Sequence, residues 1–429
     1  MSIIEGILAD IRLPAFARAN QLFDTACLDE EAIRRKIIGI SENESIFGTI
    51  KPGARVSITA GSRGITHMDV ILRELVAQLK KRGARPYIVA CMGSHGGNAS
   101  GQKKILQNLG ITEEQTGAQI ISSDELIVVG HTSDGRSVYA DKFAAESDAV
   151  IVVNRVKPHT AFRAPVESGL QKMLAIGLGK QKGADACHIR GFEGMYENVR
   201  DFSHVIVSHL PVAFGLGIIE NAYGEVFDCV ALAGPDIPVE EPKLLEMARA
   251  LMPKLLFDDI DVLVVGEMGK DISGSGMDTN IIGRYPTSGM IGWPRIGKIV
   301  TLDLTDASEG HAHGMGFANF ISRKLFDKID MDKTYTNCLT NKVDAPAKIP
   351  PVMPNDLCAI KAAIKTCRTT DPEEIRAVLI KNTHDLERIY ISKALAAEAA
   401  SNAGVVLTGS AHDIGFSRNG DVPMSLWER

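Results

Sequence analysis

RVSITAGSRGITHMDVILRELVAQL, residues 55–79, is the stretch whose reading decides the fold. Arg55 to Ala60 is a β-type run, and the loop GSRGI follows it. Thr66 then stands where an N-cap belongs, and Met68, Ile71, Leu72, Leu75, Val76 and Leu79 recur at helical spacing. Gly83 takes the place of a C′ glycine that ends the helix. The unit then starts again: PYIVACM at 86–92, the loop GSHGGN, and a helix expected over 100–109. After two short β-type runs, DAVIVVN at 148–154 reads as a third buried strand and runs into VKPHTAF. Strands alternating with helices predict an α/β domain built on a largely parallel sheet. In such sheets the loops leaving the carboxyl ends of the strands hold the ligand. Those three loops carry Arg63, His95 and His159.

Reading outward, a second α/β domain with a largely parallel sheet is expected to begin near Asp258, after a Pro-punctuated segment that ends in an amphipathic helix. IDVLVVG at 260–266 and KIVTLDL at 298–304 are its first strands, and the Gly-rich loop EMGKDISGSGMDTN lies between them. Residues 371–402 read as two helices, and Val405 to Leu407 as a last strand returning to the first domain. The expected division is therefore 1–258 joined by 404–429, and 259–403, with an active-site cleft between the two.

Composition narrows the function. Of 429 residues, 45% are hydrophobic and 23% charged, which excludes a disordered, collagen-like or coiled-coil chain. A net charge of −6 with no basic run argues against nucleic acid as a partner, and 5% aromatics argues against base-stacking platforms. The longest apolar runs are strand-length, so no membrane span is expected. Glu5 and Asp10 interrupt the apolar start, unlike a signal peptide. Seven cysteines without a CxxC pair read as reduced thiols of a cytoplasmic protein.

Several side chains could carry chemistry. His95 is flanked by Gly93, Ser94, Gly96 and Gly97, which let backbone approach a ligand, and His159 follows Pro158 directly after a buried strand. Two imidazoles in one crevice suit acid and base work on opposite faces of a substrate. Arg63, where the first strand meets the first helix, suits a carboxylate or phosphate, or braces its own loop. Lys172, in the apolar and helical stretch ESGLQKMLAIGLG, is either a solvent-facing lysine or a partly buried amine suited to covalent attachment. His188 is a metal ligand or a helix-end residue. GLGKQKG at 177–183 lacks the glycine spacing of a dinucleotide fingerprint. His311 and His313, in SEGHAHGMG, could chelate zinc or nickel, but a third ligand is not evident.

Together GSRGI at 61–65, GSHGG at 93–97, SSDELIVVGHTSDG at 122–135, VNRVKPH at 153–159, a lysine at 172 and a histidine sixteen positions later resemble the nickel-pincer nucleotide lactate racemases and related 2-hydroxy acid racemases and epimerases. The resemblance implies a nickel-bearing pyridinium mononucleotide joined to the protein at Lys172, with His188 completing the nickel coordination. It implies His95 and His159 alternating as base and acid, Arg63 gripping the substrate carboxylate, and C2 of a 2-hydroxy acid inverted by hydride transfer to the cofactor. Lactate racemases usually have an acid three places before the loop arginine; here Ala60 stands there. The segment TAFRAPVESGLQ is longer than usual and adds Arg163 and Glu167. With Arg163 as a substrate contact, these differences favour a larger, polyhydroxylated acid over lactate. Lys270 and Asn280 are candidate cofactor contacts in the second domain, with Arg284 beside them. Two other readings stay open: a zinc hydrolase using His311 and His313, and a phosphate- or nucleotide-binding module using the loops of Arg63 and His95.

Overall fold

The computed structural model describes residues 2–287, 289–341 and 343–428. The chain forms two compact units, Asp24–Met252 and Met1–Phe23 with Pro253–Arg429.

The first unit contains β1 (Arg55–Ala60), β2 (Arg85–Ala90), β3 (Ile120–Ile121), β4 (Leu126–His131), β5 (Ser137–Asp141), β6 (Ala149–Arg155), β7 (Val212–Glu220) and β8 (Val226–Ala233). Its main helices are α1 (Glu30–Glu42), α2 (Met68–Lys81), α3 (Ala99–Asn108), α4 (Lys180–Cys187), α5 (Met195–His209) and α6 (Ile237–Leu251). Six strands form one sheet in the order β3-β2-β1-β6-β7-β8. All neighbours in it are parallel except β7 and β8, and β4 with β5 makes a separate antiparallel hairpin. From β1 the chain builds outward through β2 to β3, then returns to add β6 and β7 on the other flank. The strand order reverses between β1 and β6, so connections leave in opposite directions there and open a crevice at the carboxyl ends.

The inner strands are buried along nearly their whole length, which is why they read as continuous apolar runs rather than alternating ones. The apolar face of α2, with Ile71, Leu72, Leu75 and Leu79 fully buried, packs in the same core as Ile58, Ile88 and Ile151. The helix start differs from expectation. His67, in left-handed conformation (φ 58°), is the residue before α2, and the Thr66 hydroxyl instead donates to the Gly224 carbonyl at 2.7 Å. Gly83 (φ +85°) does end the helix as expected, its N–H donating to the Lys80 carbonyl.

The second unit holds an eight-stranded sheet in the order 352–353, 320–322, 295–301, 259–265, 377–380, 388–392, 16–21, 405–407. The pairs from 352–353 through 377–380 are parallel, and the last three are antiparallel. Three expectations need correction. Residues 371–402 are not two helices: Ala377–Ile380 and Arg388–Ser392 are strands, and the α-helix there is Ala396–Ser401, led by a 3-10 turn at Lys393–Leu395. AVLI is buried at every position and RIYIS is apolar and β-branched, so sheet pairing outweighs the acidic, helix-like start at Glu373 and Glu374. Residues 404–429 do not join the first domain, because Val405–Leu407 pairs with Phe16–Gln21 inside the second unit. That pairing also removes residues 1–23 from the first domain and puts the boundary at Met252 rather than Asp258. Among the described residues no helix is long and apolar enough to cross a membrane.

Candidate active site

The loops leaving β1, β2 and β6 meet at the reversal of strand order. After β1, Arg63 stays exposed, and no hydrogen bond or ion pair ties its guanidinium to another described residue. The protein around it, and then the nearby Arg155, lower its pKa. A cation placed this way, without a partner among the described residues, has the chemistry to receive an anion.

After β2, His95 sits in a turn made by Gly93 (φ +60°) and Gly96 (φ +81°). A side chain at Gly96 would stand 2.8 Å from the backbone nitrogen of Gln102, so the turn needs glycine on two counts. His95 Nδ1 lies 2.6 Å from the Ser62 hydroxyl, the neighbour of Arg63. The turn is held from below by Gln102, whose Nε2 donates to the carbonyls of Gly93 and His95 at 3.2 Å each. The Gln102 carbonyl accepts from the buried Lys180 ammonium at 3.1 Å. That ammonium also donates to Ala90 O at 2.9 Å and pairs with the buried Asp141 at 3.1 Å.

After β6, the loop carrying His159 is closed by a bridge between Lys157 and Ser168. Its organiser is Glu167, 1% exposed, which accepts the N–H of His159 at 2.6 Å and that of Ala164 at 3.0 Å. Arg163 and Arg249 of α6 neutralise the same carboxylate. Arg163 also donates to the carbonyls of His159 (2.7 Å) and Phe162 (3.1 Å), so the arginine expected to meet substrate is bonded into its own loop. The His159 ring packs on Phe162 with centroids 4.6 Å apart and has Phe192 at 5.9 Å. Its Nδ1 accepts the Ala161 N–H at 3.0 Å, which leaves the proton of the neutral ring on Nε2. Burial, followed by Lys172, Lys157, His188 and Arg163, holds its pKa well below the usual histidine value.

Lys172 ends the short helix Leu170–Lys172, which continues into a π-helical turn, Met173–Gly177. Such a turn interrupts regular helix and is frequent at functional sites. The start of this helix is capped from a distance: Glu241 on α6 accepts the N–H of Leu170 (2.5 Å) and of Gln171 (3.0 Å). Any side chain at Gly169 would collide with that carboxylate, at 2.0 Å. Asn154 of β6 ties down the Gly169 carbonyl at 2.8 Å. Burial pushes Glu241 up to about 7. The Lys172 amine has no hydrogen bond or ion pair with another described residue. Burial, then Arg63 and Lys157, bring its pKa down to about 8. His188, at the end of α4, has Nδ1 2.6 Å from the Ala184 carbonyl and its ring edge toward Phe192. A carbonyl only accepts, so Nδ1 carries the proton and Nε2 is the unprotonated nitrogen, the tautomer that a metal ligand requires.

The fold thus brings Arg63, His95, His159, Lys172 and His188 to one edge of one sheet. The other expected residues belong to the second unit. Lys270 donates to Gly274 O at 2.7 Å, and Asn280 bonds Asp278 at 2.7 Å. Arg284 spends its donors on the carbonyls of Phe317, Ile296 and Gly297, and burial lowers it to about 10. His311 and His313 have rings 6.3 Å apart, but among the described residues no three His, Cys, Asp or Glu side chains are grouped to hold a metal ion. Ser62, Gln102, Lys180 and Glu241 are supporting residues that sequence reading missed. Ser62 was within reach, inside GSRGI; Glu241 gave no local signal.

Residues 12–196 match the lactate racemase N-terminal domain. That stretch is similar to the N-terminal domain of lactate racemases. The lactate racemase apoprotein of Thermoanaerobacterium thermosaccharolyticum shares this fold, with a TM-score of 0.54 at 12% identity over 82% of this chain and 92% of that one. A protein from Thermotoga maritima aligns at TM-score 0.51 and 13% identity over 85% of this chain and 99% of its own. No curated protein matches this chain. Arg63, His95, His159, Lys172 and His188 therefore all fall within the stretch that matches the lactate racemase domain.

Proposed function

We propose that this protein is a racemase or epimerase that inverts C2 of a 2-hydroxy acid. The observation that carries the proposal is the unpartnered Lys172 amine, set among unpartnered Arg63 and the imidazoles of His95 and His159 in a domain similar to that of lactate racemases. Lys172 and His188 fit a tethered nickel-pincer nucleotide: one is an open amine with a lowered pKa, the other carries its proton on Nδ1, so that Nε2 is its unprotonated nitrogen. When bound, that group would supply a hydride acceptor for C2.

The chain's own residues do the remainder. Arg63 binds the carboxylate and fixes which face of C2 is presented. The Ser62 hydroxyl oxygen can accept the Nδ1–H of His95, and in that tautomer Nε2 is the nitrogen that takes the hydroxyl proton. Neutral His159 keeps its proton on Nε2 and offers it as a hydrogen-bond donor to the substrate oxygen. His95 then returns that proton to the product oxygen, which the Nε2–H of His159 holds throughout. Removing C2–H as a proton beside a carboxylate would create a dianion, which hydride chemistry avoids. Glu167 is bonded to protein on every side, so Arg163 and Glu167 lend no support to a polyhydroxylated substrate. The proposed class is 2-hydroxy acids at large. The odd cysteine count without CxxC supports a reducing, cytoplasmic setting.

The test is enantiopure lactate, malate and an aldonate offered to protein whose loading on Lys172 has been verified by mass. Appearance of the C2-inverted acid supports the proposal. No inversion of any of the three by loaded protein refutes it.

A further inference from the structure

A desolvated lysine amine beside other cations is the arrangement that makes lysine a nucleophile toward carbonyls. Lys172 meets both conditions, since its neighbours are Arg63 and Lys157 and no described carboxylate pairs with it. The helix carrying it is held rigid by Glu241 and Asn154. The loop of Arg63 packs on the same helical turn, since a side chain at Gly61 would stand 3.2 Å from Met173 Cε, the neighbour of Lys172, and the Arg63 guanidinium has no partner among the described residues. A molecule that offers a carboxylate to one and a carbonyl to the other is a 2-oxo acid.

We propose that Lys172 of the cofactor-free chain forms an imine with 2-oxo acids, with Arg63 holding the carboxylate. The neutral amine attacks C2, the C–N bond forms, and the carbonyl oxygen takes up a proton. The carbinolamine then expels water and leaves C=N, so amine plus ketone gives imine plus water with no change of oxidation state. The Nε2–H of neutral His159 is the nearby donor for the departing oxygen. Because Nζ has room for one carbon substituent of this kind, a 2-oxo acid bound here blocks any other attachment at Lys172. The proposal rests on Lys172 and Arg63 and not on the racemase reading. A chain that traps 2-oxo acids yet never inverts C2 would uphold this proposal and sink the other.

The experiment uses the full chain with Lys172 shown unmodified by intact mass. It is incubated at pH 8 with pyruvate and cyanoborohydride, and the adducts are mapped by peptide mass. The expected result is a reduced adduct on Lys172 ahead of all other lysines. In Arg63→Met the pyruvate concentration for half-labelling should rise about tenfold, the worth of one charge-assisted hydrogen bond. Labelling of the same variant by acetone, which has no carboxylate, reports how the amine itself responds to losing Arg63, and the tenfold rise for pyruvate is expected beyond that change. Adducts spread over surface lysines without preference for Lys172 would overturn the proposal. So would an Arg63→Met chain that labels with pyruvate as readily as the parent.

Discussion

A buried imidazole faced by Lys157, Arg163, Lys172 and His188 gains nothing from a further positive charge, so His159 stays neutral well into the acid range. The sign for stability follows. As pH falls through the ordinary histidine value the unfolded chain takes up a proton that the folded chain refuses, so acid weakens the fold through this residue. Glu241 acts in the opposite sense. Its carboxyl titrates near 7 in the folded chain, so between its usual value and 7 the folded state holds a proton that the unfolded state has lost. Stability from this group is greatest at acid pH and falls as pH rises through 7, by on the order of 2–4 kcal/mol. Urea melts should therefore find Glu241→Gln gaining stability relative to the parent between pH 5 and pH 8; an equal difference at both would contradict the burial argument. For catalysis, His95→Ala and His159→Ala should each slow C2 inversion about 10²–10⁴-fold. Enantiomers are equal in energy, so kcat/KM for a racemised pair must fall by the same factor in both directions, and polarimetry from each enantiomer checks this. Near-normal turnover in either variant would remove that histidine from the scheme.

At the scale of elements, the three post-strand loops were readable because the parallel strands before them are buried on both faces and stand out as apolar runs. Arg63, His95 and His159 follow from that reading alone, while Lys172 and His188 needed the spacing of a known family. What could not be read is what holds these residues. Glu241 lies about seventy positions from the helix it caps, and Lys180 about ninety from the Ala90 carbonyl it bonds. Such partners meet only through tertiary structure and leave no periodic trace. The misreading of 377–392 has the same origin, since central-sheet burial decides those strands and a local helix-start signal misleads. Lys180 joins the end of β2, the Gln102 support of the His95 turn, and Asp141 of β5. Lys180→Met should leave Asp141 buried without its cation, at a cost of about 3–5 kcal/mol in denaturant melts. A change below about 1 kcal/mol would show the pair to be dispensable.

At the scale of the whole molecule, the two units differ in how the chain supplies them. Residues 24–252 hold their sheet and its core within one continuous segment. The other unit depends on residues 16–21, which stand between 388–392 and 405–407 in its sheet. A fragment of residues 24–252 should melt cooperatively on its own. A fragment of residues 253–429 should aggregate, because two strands would lose their common neighbour and expose open edges. Adding back a peptide of residues 1–23 should rescue it; a monodisperse 253–429 fragment with an unchanged melt would contradict the topology. The central claim, C2 inversion by hydride chemistry with the proton handled by His95 and His159, is tested most directly with an enantiopure 2-hydroxy acid carrying deuterium at C2, given in ordinary water to protein verified as loaded on Lys172. The account predicts the inverted acid with deuterium retained at C2, because the hydrogen never leaves the site as a proton. Inverted product with the deuterium exchanged for solvent hydrogen would contradict it.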